Sequence, residues 1–309
     1  MSSFFTTAII QRVLILCILA SFGVIARKTG IIKEEARMSL ANLTINITLP
    51  PLIFVSLVSD IKWQRLVAGF LTPFLSVLLV SLAILAVMFM TRFIPVAAQR
   101  KGTMYILSSM PNSGFIGFPL ILAILGKEGL AYAVLYDIGV TIAFCSIAIF
   151  ALKGDLAFGA RWKTLINPQM IAVLCGLLVN RLGWQLPGII REPLNTLGNA
   201  TIPLAMLLTG YVIGGIKVKR ESLNYELGLV CFFKLLFYPV LAYLLILPLR
   251  LDPLVQTVII IEAAMPSMTS APVLIQKYGG DEEFAATGIF LSTVLGIFTI
   301  PMVAHFLIK

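Results

Sequence analysis

Histidine is nearly absent from this chain, and charge of either sign is scarce. The single histidine, His305, lies close to the C-terminus, so no set of imidazoles exists for a metal centre or a nucleophile–base pair. No HExxH, GxSxG or paired-aspartate motif occurs either, which argues against an intramembrane enzyme. Four cysteines, Cys17, Cys145, Cys175 and Cys231, sit in apolar runs without CxxC pairing. They are expected as buried small hydrophobes, not as disulfides or metal ligands. Only 12% of the 309 residues are charged, and 59% are hydrophobic. A soluble domain is roughly a quarter charged. That depletion, with a mean hydropathy of +1.01, points to a polytopic membrane protein. The net charge of +9 is scattered over short loops and not gathered on one face, so nucleic acid is not an expected partner.

Ten apolar windows are long enough to cross a bilayer, at about 5–26, 38–59, 68–91, 103–125, 129–152, 166–182, 194–215, 224–249, 254–276 and 284–307. The first is read as a retained span and not a signal peptide, because Arg27 and Lys28 follow it and no small-residue cleavage site stands out. Basic residues divide unevenly over alternate loops. Arg27, Lys28, Lys33, Arg37, Arg92, Arg100, Lys101, Lys153, Arg161, Lys163, Lys217, Lys219, Arg220 and Lys277 fall on one side. Arg12, Lys62, Arg65, Lys127, Arg181, Arg191, Arg250 and Lys309 fall on the other. The richer side is expected to be cytoplasmic, which places both termini outside.

The chain also echoes itself. "MPNSGFIGFPLILAILGKEGLA" at 110–131 parallels "MPSMTSAPVLIQKYGGDEEFA" at 265–285, and "NITLPPLIF" (46–54) parallels "NATIPLAML" (199–207). A unit of five spans has an odd number of crossings, so its second copy enters from the opposite side. The expected architecture is therefore all-α, with two inverted five-helix repeats, 1–152 and 166–309. Each long echo packs prolines and glycines into a span, where unpaired backbone groups cost several kcal/mol unless protein or a water-filled cavity surrounds them. Pro119 and Pro272 are expected to unwind the middle of their spans. If the two breaks cross, half-helix N-termini offer free N–H groups and positive dipole ends to an anion. Gly114 and Gly117 would let backbone approach a ligand closely.

Polar residues around the breaks complete the candidate site. Asn112, Ser113, Gly114 and Pro119 belong to the first break; Pro266, Ser267, Thr269, Ser270 and Pro272 belong to the second. Such short side chains either line a site or repair freed backbone. Asn46 and Asn199 are candidates to face the same cavity, against the plainer reading of interhelical hydrogen bonds. Three ionisable residues fall within spans: Asp137, Lys234 and Glu262. Glu262, four residues ahead of Pro266, is the candidate to hold Na⁺ or carry a proton; the plainer reading is an ion pair with Lys234. Asp137 is expected as its partner or as a helix-packing polar group. Asp281, Glu282 and Glu283 are expected to cap the last helix.

The motifs "NSGFIGFPL" (112–120), "NITLPPLIF" (46–54) and "MPS…AP…YGGDEEFAATGIFLSTVLGIFTIP" (265–301) resemble the auxin efflux carrier family, its short bacterial branch in particular. The likeness runs along essentially the whole chain; no long hydrophilic loop separates the halves, and 153–165 is only a short linker. The resemblance implies a fold like bile-acid sodium symporters and sodium/proton antiporters. There, the first two helices of each half (1–59 and 166–215) form a scaffold, often a homodimer surface. The rest (68–152 and 224–309) form a transport part that moves against it in an elevator mechanism. It implies an organic anion as substrate, such as malate, malonate or indole-3-acetate. Asn112 matches the family's substrate-contacting asparagine, Ser267 stands where some relatives have an amide, and Glu262 resembles a sodium-binding glutamate. No resident cofactor is expected beyond Na⁺ or H⁺ coupling, and the only other partner is membrane lipid. The expected function is thus a secondary transporter in the cytoplasmic membrane; a channel or membrane receptor on the same fold is the alternative.

Overall fold

The computed structural model describes residues 2–58, 61–148, 167–218, 223–277 and 279–308. The expected 153–165 linker, with Lys153, Arg161 and Lys163, lies outside them, as do Lys219, Arg220 and Lys309. Among the described residues every regular element is a helix, apart from one isolated antiparallel bridge between Pro111 and Ser267. In chain order the helices are α1 (Ser2–Lys28), α2 (Glu34–Val58), α3 (Trp63–Met90), α4 (Ala98–Ser109), α5 (Ser113–Ile147) and α6 (Pro168–Leu182). They continue with α7 (Gly188–Gly215), α8 (Tyr225–Leu249), α9 (Pro253–Ala263), α10 (Ala271–Lys277) and α11 (Glu282–Leu307). Seven of these, α1, α2, α3, α5, α7, α8 and α11, are long and apolar enough to cross a membrane; α6 and α9 are shorter apolar helices. Large apolar side chains cover the outside, among them Phe74, Phe89, Phe298 and Phe306. An exterior of that kind suits hydrocarbon, not water.

Three prolines share one arrangement. Pro50, Pro119 and Pro239 each stand two residues after a π turn, at Thr44–Thr48, Ser113–Gly117 and Phe233–Phe237. Proline lacks an N–H and its ring crowds the carbonyl four residues back. Widening the preceding turn to a five-residue repeat relieves that conflict without ending the helix. Pro119 therefore does not unwind its span, contrary to expectation. Helix α5 has already begun at Ser113, and the true break lies at 110–112. Pro272 is likewise the second residue of α10, a position where proline fits, and the second break spans 264–270. A further break divides α5 at Gly126, whose φ of 70° favours glycine.

Two packed groups of helices emerge. Helix α1 lies along α7, and the second half of α2 packs on α6 and on the start of α7. Helices α3, α4, α5, α8, α9, α10 and α11 pack mainly with one another, meeting the first group where α1 touches α11 and where α1, α2 and α7 touch α5. Polar contacts join helix ends in two sets. Arg100 ties the start of α4 to Glu226 of α8 and Asp281 before α11, while Arg27 at the end of α1 meets Glu34 of α2. Elsewhere Arg65 meets Glu128, Lys127 donates to Asn195, and Arg181 lies over Trp63. No contact in these sets joins basic residues assigned to different sides by the loop count. Asp281 accepts from the Phe284 N–H and caps α11 as expected. Of the cysteines, Cys231 is buried and Cys17 and Cys145 half-buried, but Cys175 is exposed on the outer face of α6.

Candidate functional site

The two breaks cross. The Asn112 N–H donates to the Pro266 carbonyl at 2.9 Å, and the Met268 N–H donates to the Met110 carbonyl at 3.1 Å. Each unwound strand thus satisfies part of the other's backbone, as depth in a membrane demands. Beyond the crossing, α5 starts with Asn112 as its cap. The N–H groups of Ile116 and Gly117 turn back to the Asn112 carbonyl, which leaves the first three N–H groups of the helix without intrahelical partners. At Gly114 nothing lies within 4 Å of where a side chain would begin, so this positive helix end faces open space.

Cavities flank the crossing on both sides. One, of about 510 Å³, is bounded by α2 and α7 on one wall and by Phe115, Met268, Thr269, Ser270 and Pro272 on the other. The second, of about 230 Å³, is apolar and is lined by α1, α7 and α11 together with Ile116, Leu120 and Pro266. Thr209 of α7 borders both cavities; its residue is 4% exposed and its hydroxyl has no partner.

Ionisable groups gather on the far side of α5. Glu262, one residue from the end of α9, is fully buried, and neither carboxylate oxygen has a hydrogen-bond partner. Its carboxylate lies against the Cα of Gly117 in the first turn of α5. Ser113 sits beside both Glu262 and Asp137, though its hydroxyl is not aligned into a hydrogen bond with either. Lys234, in the π turn of α8, is fully buried; its ammonium donates to the Ala263 carbonyl at 3.1 Å and lies over the Tyr238 ring. The plainer reading of a Glu262–Lys234 ion pair is thus corrected: the ammonium faces the carbonyl end of α9, where a helix dipole favours a cation. Tyr238 and Tyr136 share a buried hydrogen bond of 3.1 Å nearby. Both carboxylate oxygens of Glu262, the hydroxyl of Ser113 and the Nδ2 donor of the Asn112 amide are buried without partners.

The expected site residues divide accordingly. Asn112, Ser113, Gly114, Pro266, Thr269, Ser270 and Pro272 reach the crossing or its cavities, and Glu262 lies just behind it. Pro119 is buried within α5. Ser267 repairs backbone: its hydroxyl donates to the Leu107 carbonyl at 2.7 Å, and its N–H donates to Ser292. Asn46 and Asn199 are exposed and line neither of the two cavities. Their neighbours Thr48 and Thr201 point inward and hydrogen-bond to each other instead. Asp137 is half-buried beside Thr141, Asn167 and Gln169. Arg37, Asn42, Phe115 and Thr209 border the larger cavity and were not anticipated. Arg37 had read only as a topology signal, and Thr209 carries no pattern that sets it apart from other hydroxyls in spans.

Comparison with known proteins agrees with this architecture. Residues 8–158 and 155–304 match the family described as membrane transport protein. The chain is 29% identical over 302 residues to an uncharacterized transporter of Methanothermobacter thermautotrophicus, covering 94% of this chain and 96% of the relative. It is 27% identical over 305 residues to an uncharacterized transporter of Methanocaldococcus jannaschii, covering 94% and 96%. A protein of Rhizobium meliloti that bears the provisional name malonate transporter is 27% identical over 207 residues, covering 61% of this chain and 62% of that one.

Proposed function

This chain belongs to the membrane transport protein family, and on that premise we propose that it is a secondary transporter of a small organic carboxylate. The observation that carries the proposal is the crossing at Pro111 and Ser267, with the free start of α5 exposed at Gly114 between two cavities. A carboxylate there receives unpaired N–H groups and the positive end of a helix dipole. Thr269 and Ser270 supply hydroxyl partners from the second break. The name of the Rhizobium meliloti relative supports the carboxylate class.

Helices α1, α2, α6 and α7 act as scaffold, and the remaining helices move against them to alternate access. Supporting this reading, the cavities lie along the seam between the two packed groups. The expected repeats, 1–152 and 166–309, then insert as ten inverted spans in the cytoplasmic membrane with both termini outside. The apolar outer face of α6, with Ile171, Leu174 and Leu178, offers a homodimer surface. Glu262 carries the coupling cation, Na⁺ or H⁺. A membrane potential negative inside favours anion exit by about 2.3 kcal/mol per charge per 100 mV, so uptake requires such a partner.

Purified protein in proteoliposomes tests the reading. Uptake of labelled malonate, acetate or indole-3-acetate should saturate and show counterflow, under an imposed Na⁺ or pH gradient. Flux of none of these acids above that of empty vesicles refutes a carboxylate carrier; flux that never saturates indicates a channel.

A further inference from the structure

Among the described residues that line the larger cavity, Arg37 of α2 is the charged one; it also borders a neighbouring cavity of about 420 Å³ lined by Arg27, Lys217, Glu282 and Glu283. The walls of the larger cavity are otherwise apolar or neutral: Met38, Ala41 and Ile45 on the same helix, Leu208 and Val212 on α7, and Phe115 and Met268 at the crossing. Arg37 has one partner, Glu34, at 3.3 Å on an exposed surface, with side chains 37% and 56% exposed. That same carboxylate is already held by Arg27 at 3.0 Å. Arg27 is also fixed by the Tyr211 carbonyl and stacked over the Tyr211 ring. Two guanidinium groups therefore share one carboxylate, and the less constrained of the two borders the cavity. An exposed ion pair of this kind is weak and readily exchanged for a better anion.

On the opposite wall stand the hydroxyls of Thr269 and Ser270 and the free start of α5 at Phe115, while the orphaned hydroxyl of Thr209 lies on the same wall as Arg37. We propose that Arg37 is a second anion anchor, so that this cavity selects substrates bearing two carboxylates over those bearing one. The inference rests on the carboxylate-carrier reading and adds the residue that reads the second charge. A planar guanidinium binds a carboxylate through two parallel hydrogen bonds, which an ammonium cannot reproduce. Asn42, five residues further along α2, lines the same wall and supplies an amide beside it.

Removing Arg37 does not orphan Glu34, because Arg27 keeps it; the folded protein is expected to survive the change. The test compares binding of malonate and propionate, which have equal carbon counts, by thermal shift and by labelled-ligand binding to purified protein. The unaltered chain should bind malonate about tenfold more tightly than propionate, the size expected of one charge-assisted interaction. Arg37→Gln should bring the two acids to within about twofold of each other while leaving propionate affinity as it was. Arg37→Lys should keep only part of the malonate advantage. Lys33→Gln, which deletes an equal charge outside the cavity, should change neither affinity. The proposal is overturned if Arg37→Gln keeps the malonate preference, if it weakens both acids alike, or if Lys33→Gln matches its effect. Failure of the unaltered chain to bind either acid, in contrast, removes the carrier reading itself and this proposal with it.

Discussion

The carboxylate of Glu262 is seated on the bare Cα of Gly117, so closely that a side chain there would begin 2.6 and 2.7 Å from its two oxygens. Gly117→Ala should therefore displace the carboxylate from a fully buried seat. Overpacking of this kind costs about 1–3 kcal/mol, against about 0.5–1 kcal/mol gained by replacing a helical glycine. The expected result is a lower melting temperature in detergent, with altered cation dependence of transport in vesicles. A variant as stable and as cation-dependent as the parent would mean that Glu262 has a second resting place.

Lys234 and Glu262 sit in one buried network without a direct salt bridge, and that arrangement can be tested by deleting each charge. Glu262→Gln keeps the shape but removes the carboxylate that acts on the fully buried Lys234. An uncompensated buried charge is strongly destabilising. Glu262→Gln should thus lower the melting temperature and abolish cation dependence; adding Lys234→Met should restore stability but not coupling. A double-mutant cycle should return an interaction of about 0.5–3 kcal/mol. Strict additivity would show that the two groups do not sense each other.

Arg100 holds three helix starts together, donating to Glu226 at 2.7 Å and to Asp281 at 2.8 Å. Hydrogen bonds to Asp281 and then to Glu226 raise its pKa above the ordinary guanidinium value. A raised pKa contributes stability that is fully present below the unfolded value and lost only as pH rises through the folded one. For a guanidinium that window lies beyond any working pH, so the clamp should hold equally at pH 6 and pH 9. Arg100→Met leaves the Glu226 carboxylate, 6% exposed, without its ion partner, with only the Ala97 N–H and the Asn224 amide still donating to it. Because Arg100 is itself a third exposed, the loss is expected at about 1–3 kcal/mol, below the figure for a fully buried pair. Thermal unfolding at the two pH values should give equal drops; a drop confined to one of them would contradict the clamp.

The paired threonines show what pattern could and could not reveal. The Asn-x-Thr-x-Pro echo at 46–50 and 199–203 marked two positions that do come together, for Thr201 donates to Thr48 at 3.0 Å in the interior. The asparagines drew attention because amides bind ligands, yet they face outward, and helical periodicity two residues on carries the threonines in. Crossing of the breaks was foreshadowed by the paired echoes, because a second interrupted segment is one of the few ways to satisfy such backbone at depth. Each break lies ahead of the proline that marks it, at 110–112 before Pro119 and at 264–270 before Pro272, since proline is conspicuous in a sequence and the π turn or helix start that tolerates it is not. Glu262 was readable from its charge within an apolar run. Its contact with Gly117, and the cavity that gathers Arg37 with Thr209, depend on which faces meet across α2, α5 and α7, and spacing along one helix does not encode that.

Helices α1 and α7 meet backbone to backbone, and Gly210-Tyr-Val-Ile-Gly214 makes that approach. A side chain at Gly210 would begin 1.7 Å from the Ala20 carbonyl oxygen, and one at Gly23 would begin 2.1 Å from the Leu207 carbonyl oxygen. In lipid no hydrophobic force drives helices together, so close contact through small residues must do so. Backbone cannot retreat as the tip of a flexible side chain can. Gly210→Val should force the two helices apart and cost at least about 3 kcal/mol, the upper end of ordinary overpacking. Gly228 in α8 offers the matched control, because nothing lies within 4 Å of its missing side chain. Gly228→Ala should be neutral or stabilising by up to about 1 kcal/mol, from helix propensity alone. Melting temperatures of the two variants in the same detergent decide the matter. Equal behaviour would mean that the α1–α7 contact contributes little, and that these helices are held by their packing on α2 and α6 instead.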